Sequence, residues 1–219
     1  MGNQILFFLC LLLLPSVTHA QELPLPEQYV VIDSIWGDLD KDGIAELVVA
    51  CDMPLDTVYD YVSNPRDLRI FKQVNGQWEL WTHSEQVLLG SQDGGMMGDP
   101  LAGMEIVKGI LIISQNGGSS WKWGFTDKYR FQNGAFYLIG YTSSTGHPCY
   151  YWEDIDFNLS TGKVNLQKEY YSCEGGDQEE GKIEKETFRQ KGILITLQNR
   201  REQEVNFVSP KYGIEVYMH

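Results

Sequence analysis

Two Asn-Gly pairs, each set between stretches of alternating apolar and polar residues, constrain this chain more than any other feature. Residues 68–74 and 77–81 flank Asn75-Gly76, and residues 128–132 and 135–139 flank Asn133-Gly134. Asn-Gly supplies the two left-handed residues that a tight hairpin turn demands, and period-two alternation gives each arm one inward face. Lys108-Gly109 separates 104–107 from 110–114 in the same way, and Lys191-Gly192 separates 184–189 from 193–197, so four hairpins are expected. Residues 150–157 and 164–171 read as a fifth, around the turn residues 158–163. The units start at irregular intervals, which argues against a strict repeat. One short helix is expected within residues 53–62, bounded by Pro54 and Pro65. The predicted class is all-β: an antiparallel meander of about ten strands, propeller-blade-like or sandwich-like.

The first twenty residues stand apart. Residues 5–14 form an apolar run of signal-peptide length, broken by Pro15, and Ala20 precedes Gln21 at a cleavage position. The expected organisation is a signal peptide over 1–20 and a single β-rich domain over 21–219. No charged n-region precedes the run, so a retained N-terminal anchor is the alternative. No other run approaches the roughly 20 apolar residues that cross a bilayer. The mature chain is therefore expected to lack a transmembrane segment and to be periplasmic or secreted. Its net charge is −13, which repels phosphate backbones and excludes nucleic acid as a partner.

Cysteine use agrees with export. Cys149 and Cys173 are symmetric about Thr161, so a hairpin there places them opposite one another and a disulfide is expected. Cys51 closes the apolar run Leu47-Val48-Val49-Ala50 and reads as a small buried hydrophobe.

The chemistry concentrates in residues 36–47, Trp-Gly-Asp-Leu-Asp-Lys-Asp-Gly-Ile-Ala-Glu-Leu. Asp38, Asp40, Asp42 and Glu46 offer carboxylates at positions 1, 3, 5 and 9, and Ile44 a backbone carbonyl at position 7. Hard oxygens at that spacing suit Ca²⁺ with its six to eight ligands, and suit the tighter octahedron of Mg²⁺ less well. An EF-hand needs flanking helices and Glu at position 12; here position 12 is Val49 and both flanks read as strands. The expected ligands are Asp38, Asp40, Asp42, Ile44 and Glu46, around a structural Ca²⁺ held in a β-hairpin loop.

Residues 37–49 resemble the calcium loop of FG-GAP/VCBS-type repeats, which occur in β-propellers and bacterial surface proteins. The resemblance covers about twenty residues and occurs once, so it does not imply a full propeller. It implies an exported, calcium-stabilised β-domain.

Other features carry less. Asp154, Asp156 and Asn158 alternate along one strand face, as a second cation site or as a solvated face opposite Ile155 and Phe157. Residues 94–103 are glycine-rich without a phosphate-loop ending, and read as a crossing loop or the edge of a binding site. Trp121, Trp123, Tyr150, Tyr151 and Trp152 read as core or as a platform for a sugar or peptide. His83, His147 and His219 lack metal-ligand spacing. Two functions are compatible with these features. One is a non-catalytic binding or interaction domain with a protein or glycan partner; the other is a small exported hydrolase using carboxylate acid–base chemistry.

Overall fold

The computed structural model of the protein describes residues 23–55, 63–173, 181–202 and 204–218. The apolar leader, the cleavage position, most of the helix expected within 53–62, residues 175–180 of the expected exposed loop and His219 lie outside them.

All thirteen strands among the described residues pair antiparallel, and those residues contain no α-helix. The first sheet runs in chain order through β1 (Val30–Gly37), β2 (Glu46–Asp52), β3 (Arg66–Val74) and β4 (Gln77–Ser84). The second holds seven strands, again in chain order: β5 (Leu101–Val107), β6 (Ile110–Gly118), β7 (Lys122–Gln132), β8 (Ala135–His147), β9 (Tyr151–Asn158), β10 (Lys163–Tyr170) and β11 (Ile183–Arg189). Two three-residue strands, β12 (Asn206–Val208) and β13 (Glu215–Tyr217), make a separate ribbon.

The turns follow their chemistry. Asn75-Gly76, Lys108-Gly109 and Asn133-Gly134 all have both residues at positive φ, between 50° and 82°. That is the twist-matched two-residue turn that joins neighbouring strands without splaying them. The β9–β10 hairpin also forms where expected: Tyr151 pairs with Tyr170, and the Cys149–Cys173 disulfide closes its open end with Cα atoms 4.9 Å apart.

The main core is shared between the two large sheets, so the packing is sandwich-like. Val48, Ala50, Leu68 and Ile70 from β2 and β3 meet Leu111, Ile113, Tyr129, Phe136 and Leu138 from β6–β8. A second cluster continues the layer, with Ile155, Phe157, Val164 and Leu166 packed against Ile214 and Val216 near the C-terminus. The unbroken apolar run in β2 has its own explanation: Leu47, Val49 and Cys51 face the other way, where Leu23, Leu25, Tyr29 and Trp78 cover them. A strand buried on both faces needs no alternation.

Buried charges tie loops to this frame. Arg66 donates to Asp52 at 2.8 Å and to both oxygens of Asp99 at 2.7 and 2.6 Å, across 33 residues of sequence. Arg200 makes a two-point pair with Asp127 at 2.6 and 3.1 Å, and Tyr129 donates to the same carboxylate. Together they anchor the segments on either side of the second sheet.

One expected hairpin does not form. Residues after Lys191-Gly192 do not return along β11; Thr196 bridges to Tyr137, and Leu138 N–H donates to the Ile195 carbonyl at 3.0 Å. β9 pairs with β8 only over Tyr141–His147, leaving the start of β8 with free backbone groups. Residues 195–196 satisfy part of that edge and bury Ile195 and Leu197. The two strands of the terminal ribbon are too short to register as alternation, which is why the count exceeds ten.

Candidate metal centre

The candidate loop is the connection between β1 and β2, pinned at both ends by strand pairing: Gly37 faces Glu46 and Trp36 faces Leu47. Within it the carboxylates fold back onto the chain's own N–H groups. Asp40 accepts from Asp42 N–H at 3.2 Å, Asp42 from Ile44 N–H at 2.7 Å, and Asp38 from Gly43 N–H at 3.0 Å. Such side-chain-to-backbone bonds are what Asp supplies in turns, and here they hold three carboxylates on one side of the loop. Lys41 sits at φ +68° and Gly43 at φ +88°, so the chain turns sharply on either side of Asp42, the third carboxylate.

One oxygen each from Asp38, Asp40 and Asp42 lies within 4.8 Å of the others. Asp38 and Asp40 are half-buried and Asp42 is exposed. Asp38 Oδ1 is buried and makes no hydrogen bond. A buried carboxylate oxygen without a donor is costly, and a cation is one way to satisfy it. On that test the aspartate set fits a hard divalent ion.

Glu46 differs from its expected role in detail. It is the first residue of β2, 1% exposed, and its Oε2 accepts Leu39 N–H at 2.7 Å. Burial raises its carboxyl above the ordinary value; the Leu39 N–H opposes the rise and the Asp40 charge adds to it. Its other oxygen lies 3.9 Å from Lys72 Nζ. Glu46 is not part of the converging aspartate group; it fastens the loop's inner turn through the Leu39 N–H. The side chain of Ile44 is half exposed, while its N–H is taken by Asp42.

Lys72 is the residue that spacing alone did not reveal. It comes from β3, ion-pairs with Asp40, and lies 3.7 Å above the Trp81 ring. Its ammonium is an internal counter-charge for the loop. A lysine alternating with apolar residues on a neighbouring strand carries no local signal that it turns toward residue 40.

The remaining candidates separate. Asp154 and Asp156 are exposed on the outer face of β9 while Ile155 and Phe157 are buried, the solvated-face arrangement. The five aromatics do not form one platform. Trp121 stacks on Tyr150 at 5.6 Å, with His147 and Tyr151 around it; Trp123 stacks on Phe125; Trp152 lines the opposite, outer face. His83 rests 3.2 Å from buried Asp67, which also takes Arg69. The glycine-rich segment is a crossing between the sheets, with one 3₁₀ turn at Gly95–Met97. Cys51 is fully buried and free, its thiol pushed up to about 11, chiefly by burial. No helix among the described residues is long and apolar enough to cross a membrane. No protein-family model matches the chain, and a search of curated proteins finds no match.

Proposed function

We propose that this protein is an exported, non-catalytic binding domain whose β1–β2 hairpin is clipped by a structural Ca²⁺. Two observations support the metal: one oxygen each from Asp38, Asp40 and Asp42 lies within 4.8 Å of the others, and Asp38 also has a buried oxygen without a donor. Those three side chains would hold the ion, with the Ile44 carbonyl and Glu46 completing an oxygen set of the kind Ca²⁺ takes. When bound, the ion supplies charge neutralisation and a rigid cross-link between the strands. With every ligand on one short hairpin, the arrangement suits a clip better than an open catalytic centre, which keeps a coordination position for substrate. The FG-GAP/VCBS-like pattern of residues 37–49 supports the same assignment.

Export is supported by the apolar leader at residues 5–14 and by the Cys149–Cys173 disulfide, a bond that persists in oxidising compartments.

Thermal melts of the mature protein test the clip. A ligand at a hundred-fold excess over its dissociation constant adds about 2.7 kcal/mol. In a domain of this size that raises Tm by about 5–10 °C. Chelator should remove the gain, Mg²⁺ should give much less, and Asp40→Ala should fold but lose the response. Coincident melts of wild type and Asp40→Ala in both Ca²⁺ and chelator would overturn the proposal.

A further inference from the structure

The outer face of the seven-stranded sheet has no part in the metal centre, and it is polar along most of its width. Strand register sets Ser114, Thr126, Thr142, Asp156, Asn165 and Thr187 side by side in one row across β6–β11. The next row begins Asn116, Gly124, Ser144 and Asp154. Hydroxyls and amides make up five of the six residues in the first row and two of the four named in the second. Several are already linked in short chains: Ser114 to Thr126 at 2.9 Å, Thr187 to Asn165 at 3.0 Å, and Asn165 to Asp156 at 3.3 Å.

This face carries two shallow depressions that are open to solvent. One of about 620 Å³ lies against the β6–β9 half, and one of about 350 Å³ lies against β9–β11; the two share Asp154 and Ile155. Ser114, Asn116, Thr126, Thr142 and Ser144 are accordingly half-buried, although they point away from the core. Gly124 deepens the floor. Its φ is not in the left-handed region, and a Cβ there would meet only the Asn116 Cβ at 3.4 Å and the Gln115 carbonyl at 3.6 Å, so room for a side chain is left open. Trp152 forms a wall of the larger cavity. A Cβ on Gly146 would strike the Tyr151 carbonyl and, at 2.7–2.8 Å, the Trp152 indole, so the glycine admits the close approach of β9 and of that ring.

We infer that this trough is a binding site for a linear neutral oligosaccharide. Paired donors and acceptors on a pleated floor complement a polyhydroxyl chain, and a flat indole offers the apolar surface on which pyranose C–H faces stack. Six strands span five inter-strand steps, about 24 Å, the reach of a short oligosaccharide rather than a single sugar. Charge selects among glycans: the chain carries −13, and the larger cavity is lined by one cation, Lys122, and one carboxylate, Asp154, so a polyanionic glycan is repelled. The inference rests on the binding-domain assignment and supplies its ligand class, at a site separate from the calcium loop.

Isothermal titration of the mature protein with cellohexaose, xylohexaose, mannohexaose, fully N-acetylated chitohexaose and hexagalacturonate tests it, in Ca²⁺ and in chelator. At least one neutral hexasaccharide should bind and hexagalacturonate should not. Gly124→Leu, which fills the floor, and Trp152→Ala should each weaken binding at least about tenfold, the loss typical of a central contact. Trp121→Ala, on the Tyr150 stack, should not. Thermal melts confirm that each variant is folded. Absence of binding by all four neutral sugars, preference for hexagalacturonate, or unchanged affinity in both trough variants overturns the inference. Sugar binding that persists where Ca²⁺ causes no shift in Tm would refute the metal clip and leave the trough standing.

Discussion

Lys72 gives the sharpest handle on the calcium loop, because it is a fixed positive charge beside a site proposed to take a cation. Its ammonium pairs with Asp40, lies 3.9 Å from Glu46 and is only 25% exposed. An ion held 2.3–2.6 Å from the carboxylate oxygens would lie about 4–5 Å from that nitrogen. A monovalent and a divalent charge at about 5 Å repel by about 1.7 kcal/mol in bulk water and about 6.6 kcal/mol at an effective dielectric of 20. Lys72 escapes the larger figure by swinging outward. Doing so forfeits an ion pair and a cation–π contact worth about 0.5–1 kcal/mol each. The outward swing is the cheaper route, so Lys72 costs calcium binding about 1–2 kcal/mol. Lys72→Met, which keeps the stem against Trp81, should therefore bind Ca²⁺ about tenfold more tightly than wild type. It should also melt lower than wild type in chelator, since Asp40 and Glu46 lose their counter-charge. Calorimetric titration at two salt concentrations checks the first effect, and melts in chelator check the second. Unchanged or weaker calcium affinity in a cooperatively melting Lys72→Met protein would show that the ion does not bind beside Asp40.

Three further outcomes are expected. Replacing Cys149 and Cys173 by Ser should cost about 3 kcal/mol in denaturant titration, the chain-entropy value for a loop of 24 residues, while Cys51, buried with its thiol near 11, should resist alkylation until the protein unfolds. Asp99 is held below its ordinary value of 3.8, first by the Arg66 hydrogen bonds, so its contribution is present above that value and lost as pH falls through the lower folded one; Asp99→Asn should be less stable near neutral pH, by about 1 kcal/mol or less given that half the side chain is solvated, and should converge with wild type in urea melts at strongly acidic pH. Asp127→Asn leaves Arg200 buried opposite a neutral partner and should cost about 3–5 kcal/mol, whereas Arg201→Ala, losing neutral-acceptor bonds to the Glu85, Gln86 and Leu88 carbonyls, should cost markedly less in the same assay.

What could be read in the sequence was whatever is encoded locally. Asn75-Gly76 and Asn133-Gly134 declare their turns because few other pairs adopt two left-handed residues in succession, and the cysteine pair follows from the hairpin between them. The three aspartates converge because each bonds the backbone two to five residues further on, which is also a local property. Pairings across 30 or more residues left no such trace: Lys72 on Asp40, and Arg66 on Asp99, depend on how β3 sits against its neighbours. The Lys191-Gly192 expectation failed for the same reason. Its turn chemistry was sound, but the unpaired start of β8 offered residues 195–196 a better place than a return along β11. The outer-face trough was invisible in sequence because it is a row across strands, assembled from residues that are neighbours only once register is fixed.

The most direct test of the account is the calcium stoichiometry of the mature protein, measured by equilibrium dialysis in excess Mg²⁺ at neutral pH. The account predicts one Ca²⁺ per chain in wild type and none in Asp40→Ala, with the variant still folded. No bound Ca²⁺ in wild type, or an equal amount in the variant, would contradict it.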